Sequence, residues 1–254
     1  MPDNIPLLPQ MADLWLSSFN WQPNAAQQLL FQRLYQLIIE ANQTLNLTRI
    51  TQPLEFWEKH LWDSLRAIAP LLEGRGTEQG EHFEHFEQGE IKTVTGYQLP
   101  ITNSSLKIID IGTGAGFPGI PVAIVLPQSQ VTLLDSVRKK VTFLNTLIAE
   151  LNIQNASTII GRAETINKES QYKQAYDVAL IRAVGSASVC AEYALPLLKS
   201  GGLAVVYRGN WTTEERETLQ NTVKKLDGLI EAVEGFTTPI TNSIRHCVYL
   251  RKLK

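Results

Sequence analysis

Only two cysteines, Cys190 and Cys247, occur in 254 residues, too few and too isolated for a disulfide framework or a thiolate metal cluster. Both lie in apolar surroundings, so buried, reduced thiols and no metal site are expected. Long hydrophobic runs are missing too: nothing approaches the roughly 20 residues of a membrane span. Met1 to Gln10 lacks the basic and apolar regions of a signal peptide. A cytoplasmic chain without a membrane partner is therefore expected. Net charge is small, a formal −2, which argues mildly against a nucleic-acid partner until its distribution is followed along the chain. With 44% hydrophobic and 19% charged residues, the composition is that of a globular enzyme, long enough for one large core and an accessory segment but not for two large domains.

What the chain does have is a glycine cluster between a hydrophobic strand and a helix, Asp110-Ile-Gly112-Thr-Gly114-Ala-Gly116-Phe117-Pro118-Gly119. Lys107 to Ile111 reads as a short buried strand, and Pro118 and Pro121 suit the first turn of the following helix. Glycines at 112, 114 and 116 let backbone approach a ligand closely, as in nucleotide-binding βα turns. Gly114, Gly116 and Gly119 also satisfy the dinucleotide spacing, so on glycines alone an NAD-type oxidoreductase stays open. Asp110 favours another ligand. A pyrophosphate would meet its carboxylate, whereas S-adenosylmethionine carries a sulfonium and an ammonium and no phosphate.

Further polar groups fall at successive strand ends, where an open α/β sheet binds its ligand. Val131 to Asp135 is a second buried strand, and Asp135 stands roughly 20 residues beyond the glycines, the spacing for a carboxylate on ribose hydroxyls. Ser136 and Val137 lead into a helix over Arg138 to Leu151 with an apolar face at Val141, Leu144, Leu147, Ile148 and Leu151. Ser157 to Ile160 is a third strand, ending in Gly161-Arg162-Ala163-Glu164. Asp177 to Ile181 is a fourth, ending in Arg182.

The charge distribution is uneven. Six glutamates and one arginine lie between Glu73 and Glu90, so the rest of the chain is net positive. That acidic, glycine-punctuated stretch, with His82 and His85, reads as a mobile insertion over 74–104. Outside it, Arg138-Lys139-Lys140, Arg162, Arg182, Arg208, Arg245 and His246 fall mostly near strand ends and could form a basic rim for phosphate contacts. Two helices precede the sheet. One runs over Ala25 to Gln43, capped by Asn24, with Leu30, Leu34, Leu37 and Ala41 as its buried stripe. The other starts at Pro53 and carries Trp57, Leu61, Leu65, Ile68 and Leu72, with His60, Asp63 and Ser64 along one edge. Asn46-Leu-Thr48-Arg49 between them suits either an ordinary helix end or a lid over an acceptor.

Taken together, Asn46-Leu-Thr48, Lys59-His60-x-x-Asp63-Ser64, Asp110-Ile-Gly-Thr-Gly-Ala-Gly-Phe-Pro-Gly-Ile-Pro121, Leu134-Asp-Ser136, Gly161-Arg-Ala-Glu164, Arg182-Ala-Val184 and Gly201-Gly202 resemble the bacterial 16S ribosomal RNA guanine-N7 methyltransferases, also called glucose-inhibited division protein B. The resemblance spans nearly the whole chain apart from the first dozen residues and the insertion. It implies S-adenosylmethionine as cofactor, a guanine of the 530 loop of 16S rRNA as acceptor, and 16S rRNA or the small ribosomal subunit as partner. It further implies that Gly112 and Phe117 line the methionine and adenosine pocket, Asp135, Ser136 and Val137 the ribose and adenine, and Ala163 and Glu164 the adenine edge. Arg182 closes the cofactor site near the acceptor. Asp110, Gly114 and Gly116 complete the expected cofactor set. Asn46, His60, Asp63, Arg162, Arg208 and Arg245 are the candidates for positioning the substrate.

Guanine N7 offers an in-plane lone pair, so methyl transfer to it is a direct displacement that needs no general base; alignment alone is worth on the order of 7 to 11 kcal/mol at best. Amino-group methyltransferases resemble one another in an Asp/Asn-Pro-Pro-aromatic loop after the fourth strand, and pyrimidine-C5 enzymes in a Pro-Cys nucleophile. This chain has Arg182-Ala-Val-Gly at the first position, and Val189 and His246 precede its cysteines. A ribosome-assembly factor that keeps the pocket without turnover is the remaining alternative. The expected fold is α/β, a class I methyltransferase sheet of seven mostly parallel strands with a C-terminal antiparallel hairpin. Residues 1–73 form a helical cap, 74–104 the insertion and 105–254 the cofactor-binding domain of a monomer.

Overall fold

The computed structural model describes residues 5–72 and 105–254 with their side chains and, between them, the backbone of 83–87 and 90–94. The latter pair as an antiparallel hairpin, β1 (Phe83–Glu87) and β2 (Glu90–Val94), with Glu87 opposite Glu90. The rest of the expected insertion, its mobility and its histidine side chains lie outside the described residues.

Five parallel strands form the centre of the sheet: β3 (Lys107–Ile111), β4 (Gln130–Asp135), β5 (Ala156–Ile160), β6 (Tyr176–Arg182) and β7 (Leu198–Arg208). An antiparallel pair, β8 (Gly228–Thr237) and β9 (Ile244–Lys252), completes it in the order β5-β4-β3-β6-β7-β9-β8. The chain leaves β3 first to one side, toward β4, and later returns to β6 on the other. This reversal opens a crevice at the carboxyl ends of β3 and β6. Five helices follow from the connections: α6 (Gly119–Val125), α7 (Arg138–Glu150), the single turn α8 (Ala163–Ile166), α9 (Ala187–Ala194) and α10 (Thr213–Lys225). β3 is buried from Ile108 to Ile111, as expected of a central parallel strand, with Asp110 the one charged residue in that span.

The N-terminal helices pack into the same core rather than forming a separate body. One hydrophobic cluster runs from Trp15, Phe31 and Phe56 through Phe117 and Leu144 to Tyr249. After α1 (Ala12–Phe19), α2 (Ala25–Leu45) starts with Asn24 and Gln27 capping each other's backbone N–H. Its fully buried residues are Phe31, Leu34, Tyr35 and Ile38; of the expected stripe only Leu34 is among them, while Leu30, Leu37 and Ala41 are partly buried and pack against the same core. The aromatic rings set the orientation: Phe31 stacks with Trp15 and Tyr35 meets Phe56 edge-on. The second helix is also not the regular one expected. It is broken into α3 (Pro53–Phe56), a π-helical turn over Trp57–Trp62, α4 (Asp63–Arg66) and α5 (Ala69–Leu72). The Asp63 N–H bonds Glu58 O, five residues back. Wide turns of this kind occur often at functional sites.

Candidate functional site

The glycine loop is built for close approach. Gly112 and Gly116 have φ of +71° and +100°, and a Cβ on Gly112 would lie 2.5 Å from Val184 Cγ2. Gly112 and Thr113 donate their N–H groups to Leu134 O at 2.8 and 3.1 Å, pinning the loop to β4. Two carboxylates brace it. Asp135, at the tip of β4, accepts from Gly114 N at 3.0 Å and from Val137 N at 2.8 Å. Asp110 is fully buried under the loop. Its Oδ2 accepts from Gly119 N at 2.7 Å. Burial pushes this carboxyl up to about 6, although the Thr113 hydroxyl, the Gly119 N–H and the Arg182 charge favour its ionised form.

This donor set fits a cationic ligand. The loop from Asp110 to Gly119 contains no basic residue, and Asp110 sets a buried carboxylate directly beneath it. Asp110 is wholly buried, where its place at the strand tip suggests a surface contact. Beside Asp135, Ser136 and Val137 are exposed, and Val137 and Ile160 present apolar surface at neighbouring strand tips. Those surfaces suit a purine ring, with Asp135 for ribose hydroxyls. Ala163 is buried at the start of α8 and Glu164 is partly exposed. Arg162 points into solvent and touches Glu164 only at 3.5 Å.

The π-helical turn of the cap presses against this loop. His60 stacks on Phe117, ring centroids 4.2 Å apart and planes 6° from parallel, while Phe56 meets both rings edge-on. Thr48 Oγ1 lies 2.9 Å from His60 Nε2 and also accepts from Ile50 N, and Asn42 holds the Thr48 backbone through both of its amide atoms. Burial, then the positive charges of Arg182 and Lys59, push His60 down to about 3. The ring is neutral wherever the protein is folded near neutral pH. Arg182 joins the sheet to the cap: Nη1 donates to Asp63 Oδ2 at 2.7 Å and to Lys59 O at 3.0 Å, and the guanidinium lies 6.0 Å from the Phe117 ring centre. On the opposite side of this segment, buried Glu58 accepts from Ile240 N, Thr241 N and Thr241 Oγ1. Burial alone would raise its pKa, but these hydrogen bonds hold it below the usual carboxylate value.

The remaining substrate candidates are dispersed. Asn46 is exposed and ends α2 in the left-handed conformation, which is the ordinary helix-end reading of that segment. Arg208 is tied to Gly185 O at 2.7 Å and to Glu215. Arg245 is half-buried beside Gly209, whose carbonyl His246 Nδ1 meets at 2.8 Å. The expected basic rim is therefore discontinuous, since Arg182 and Arg208 are engaged inside the protein. Asn42, which holds the Thr48 backbone, and Glu58, which anchors the helix of His60, received no role from sequence, and Thr48 entered only as part of the Asn46–Arg49 segment. Their signal is weak: a Thr and an Asn near a helix end, and one more glutamate on an amphipathic helix. Both cysteines are free and buried, and no group of metal-ligating side chains occurs among the described residues. A cavity of about 370 Å³ is lined by Leu7, Trp15, Phe31, Trp57 and Leu61, among the N-terminal helices and away from the strand tips.

The family model described as GidB, rRNA small subunit methyltransferase G, matches residues 27–77 and 92–247. Curated relatives carry the same description. One from Nostoc punctiforme is 58% identical over 247 residues, covering 97% of this chain and 91% of that protein. One from Microcystis aeruginosa is 45% identical over 246 residues, covering 97% and 99%. Among solved structures, a 16S rRNA (adenine(1408)-N(1))-methyltransferase from Catenulisporales acidiphilia superposes with a TM-score of 0.50 at 15% identity. It covers 59% of this chain and 87% of that one, and speaks for the fold alone.

Proposed function

Because the chain belongs to the rRNA small subunit methyltransferase G family, we propose that this S-adenosylmethionine-dependent methyltransferase places its methyl group on N7 of one guanine in the 530 loop of 16S rRNA. The family sets aside the oxidoreductase reading left open by the glycine spacing. The observation that carries the proposal is the buried pair of carboxylates, Asp110 and Asp135, bracing a glycine loop with no cation of its own. When bound, S-adenosylmethionine supplies an electrophilic methyl on a sulfonium. Gly112, Gly114, Gly116, Asp135, Ser136 and Val137 would hold it, and Phe117 lies beneath with 5% of its surface exposed.

What this chain's own residues contribute is alignment and dryness. N7 has no proton to lose, and none of the groups at the junction of cap and sheet is poised to take one. His60 is a neutral, stacked ring and Arg182 is a paired cation. Their part is to fix Phe117 and close the crevice, so that water is kept from the methyl donor and the acceptor approaches along one line. Bases in RNA loops are read by stacking, edge hydrogen bonds and phosphate contacts, and Arg162 and Arg245 with the exposed start of α7 remain for the last of these. The partner is 16S rRNA or the small subunit, with the protein acting as a monomer in the cytoplasm. No described helix is long and apolar enough to cross a membrane. Labelled methyl transfer to undermethylated small subunits tests the reading. Incorporation as N7-methylguanine supports it, and tight adenosylhomocysteine binding without transfer would instead indicate an assembly factor.

A further inference from the structure

We propose that Arg208 is a positioning residue rather than an RNA contact: held by Glu215, its guanidinium fixes the loop after β6 so that Val184 stands between the donor and acceptor halves of the crevice. This inference rests on the methyltransferase reading above. β6 and β7 are neighbours in register, Arg182 opposite Tyr207, so Arg208 emerges beside the residues that follow Arg182. One Nη donates to Gly185 O at 2.7 Å and the other to Glu215 Oε1 at 2.5 Å. These side chains are only 22% and 18% exposed. Glu215 is itself fixed in the first turn of α10, where its N–H bonds the Thr212 hydroxyl. With each Nη engaged inside the protein and Nε buried without a partner, this cation is turned away from an approaching phosphate.

The loop needs such a strut. Ala183 has φ +57°, a left-handed conformation that a Cβ disfavours. That turn presents Val184, which is 37% exposed yet packs so closely on Gly112 that no Cβ would fit there. Gly112 directly follows β3 and Val184 follows β6, the two strands flanking the crevice. Val184 is thus an apolar wall at the point where donor and acceptor meet. A lysine at 208 could not bridge Gly185 and Glu215 with the planar fork that arginine provides.

The test uses Glu215→Gln and Arg208→Lys in the full chain. Amide hydrogen exchange at residues 183–187 is read first, without RNA or donor. It rises in both variants while exchange in β3 and β4 is unchanged, a readout that stands even if the substrate assignment fails. With undermethylated small subunits, kcat falls roughly tenfold or more, as small misplacements do, and adenosylhomocysteine affinity, subunit affinity and its salt dependence stay as in the parent. Unchanged exchange in both variants overturns the proposal. So does the signature of a phosphate contact: tighter subunit binding in Glu215→Gln, or a salt slope flatter by about 0.7–0.9 in Arg208→Ala.

Discussion

Glu58 offers a sharp test of how the cap is anchored. Replacing it with alanine removes the carboxylate that meets the Ile240 and Thr241 N–H groups, at 2.6 and 2.9 Å, and the Thr241 hydroxyl, at 2.6 Å. A buried donor stripped of its partner costs about 1–3 kcal/mol. Thr241 is exposed and Ile240 half-buried, so water restores part of this, and a total of about 2–4 kcal/mol is expected. At roughly 2–4 °C per kcal/mol for a chain of this size, Tm falls by about 5–15 °C. Glu58→Gln keeps an oxygen for both N–H groups and can turn its amide toward the hydroxyl, losing only the charge assistance, about 1 kcal/mol. The pH dependence follows from the lowered pKa. The folded state favours the ionised form, so this stabilisation is full above the unfolded value of 4.5 and is lost as pH falls through the lower folded value. Calorimetry of the parent and both variants from about pH 7 down to about pH 2 reads it. Equal Tm values for alanine and glutamine, or an alanine variant within a degree of the parent, would refute the anchoring.

Three further outcomes are expected. Adenosylhomocysteine affinity should weaken as pH falls through about 6, because Asp110 then takes up a proton and its charge is lost; in Asp110→Asn, titration calorimetry should find weaker binding without that pH dependence. Thr48→Val, which removes the partner of His60 Nε2, should lower kcat on subunits several-fold without changing donor affinity, and kcat should show no titration near pH 6.5, since His60 stays neutral down to about 3. Asp63→Asn leaves Arg182 charged and poorly matched in a pair only 16% and 14% exposed; thermal denaturation should show a loss of up to about 3 kcal/mol, and a change below 0.5 kcal/mol would contradict the pair's role.

Much of the fold was legible because its strands are continuous apolar runs ending in polar residues. Lys107–Ile111 and its glycine loop, and the Asn24 cap, lie where their patterns place them. The fully buried residues of α2 were misread because leucine spacing carries no information about which ring a neighbouring helix offers; Trp15 and Phe56 select Phe31 and Tyr35. The π-turn was invisible for a similar reason. Trp57, Leu61 and Leu65 keep the same apolar spacing in either helix, and what accompanies the wider turn is tertiary: Glu58 on the β8–β9 connection and Arg182 on Lys59 O. At the site, Asp110, Asp135 and Arg182 could be named from sequence because each stands at or beside the carboxyl end of a strand. Whether Asp110 faces ligand or protein, and whether Arg208 is free or paired, depends on contacts from residues far along the chain.

The most direct measurement is nucleotide-resolution mapping of N7-methylguanine in small-subunit rRNA from cells that have this gene, lack it, or have it restored. One guanine of the 530 loop should lose its methyl group on deletion and regain it on restoration. An identical methylation pattern in all three would contradict the assignment of acceptor and reaction together.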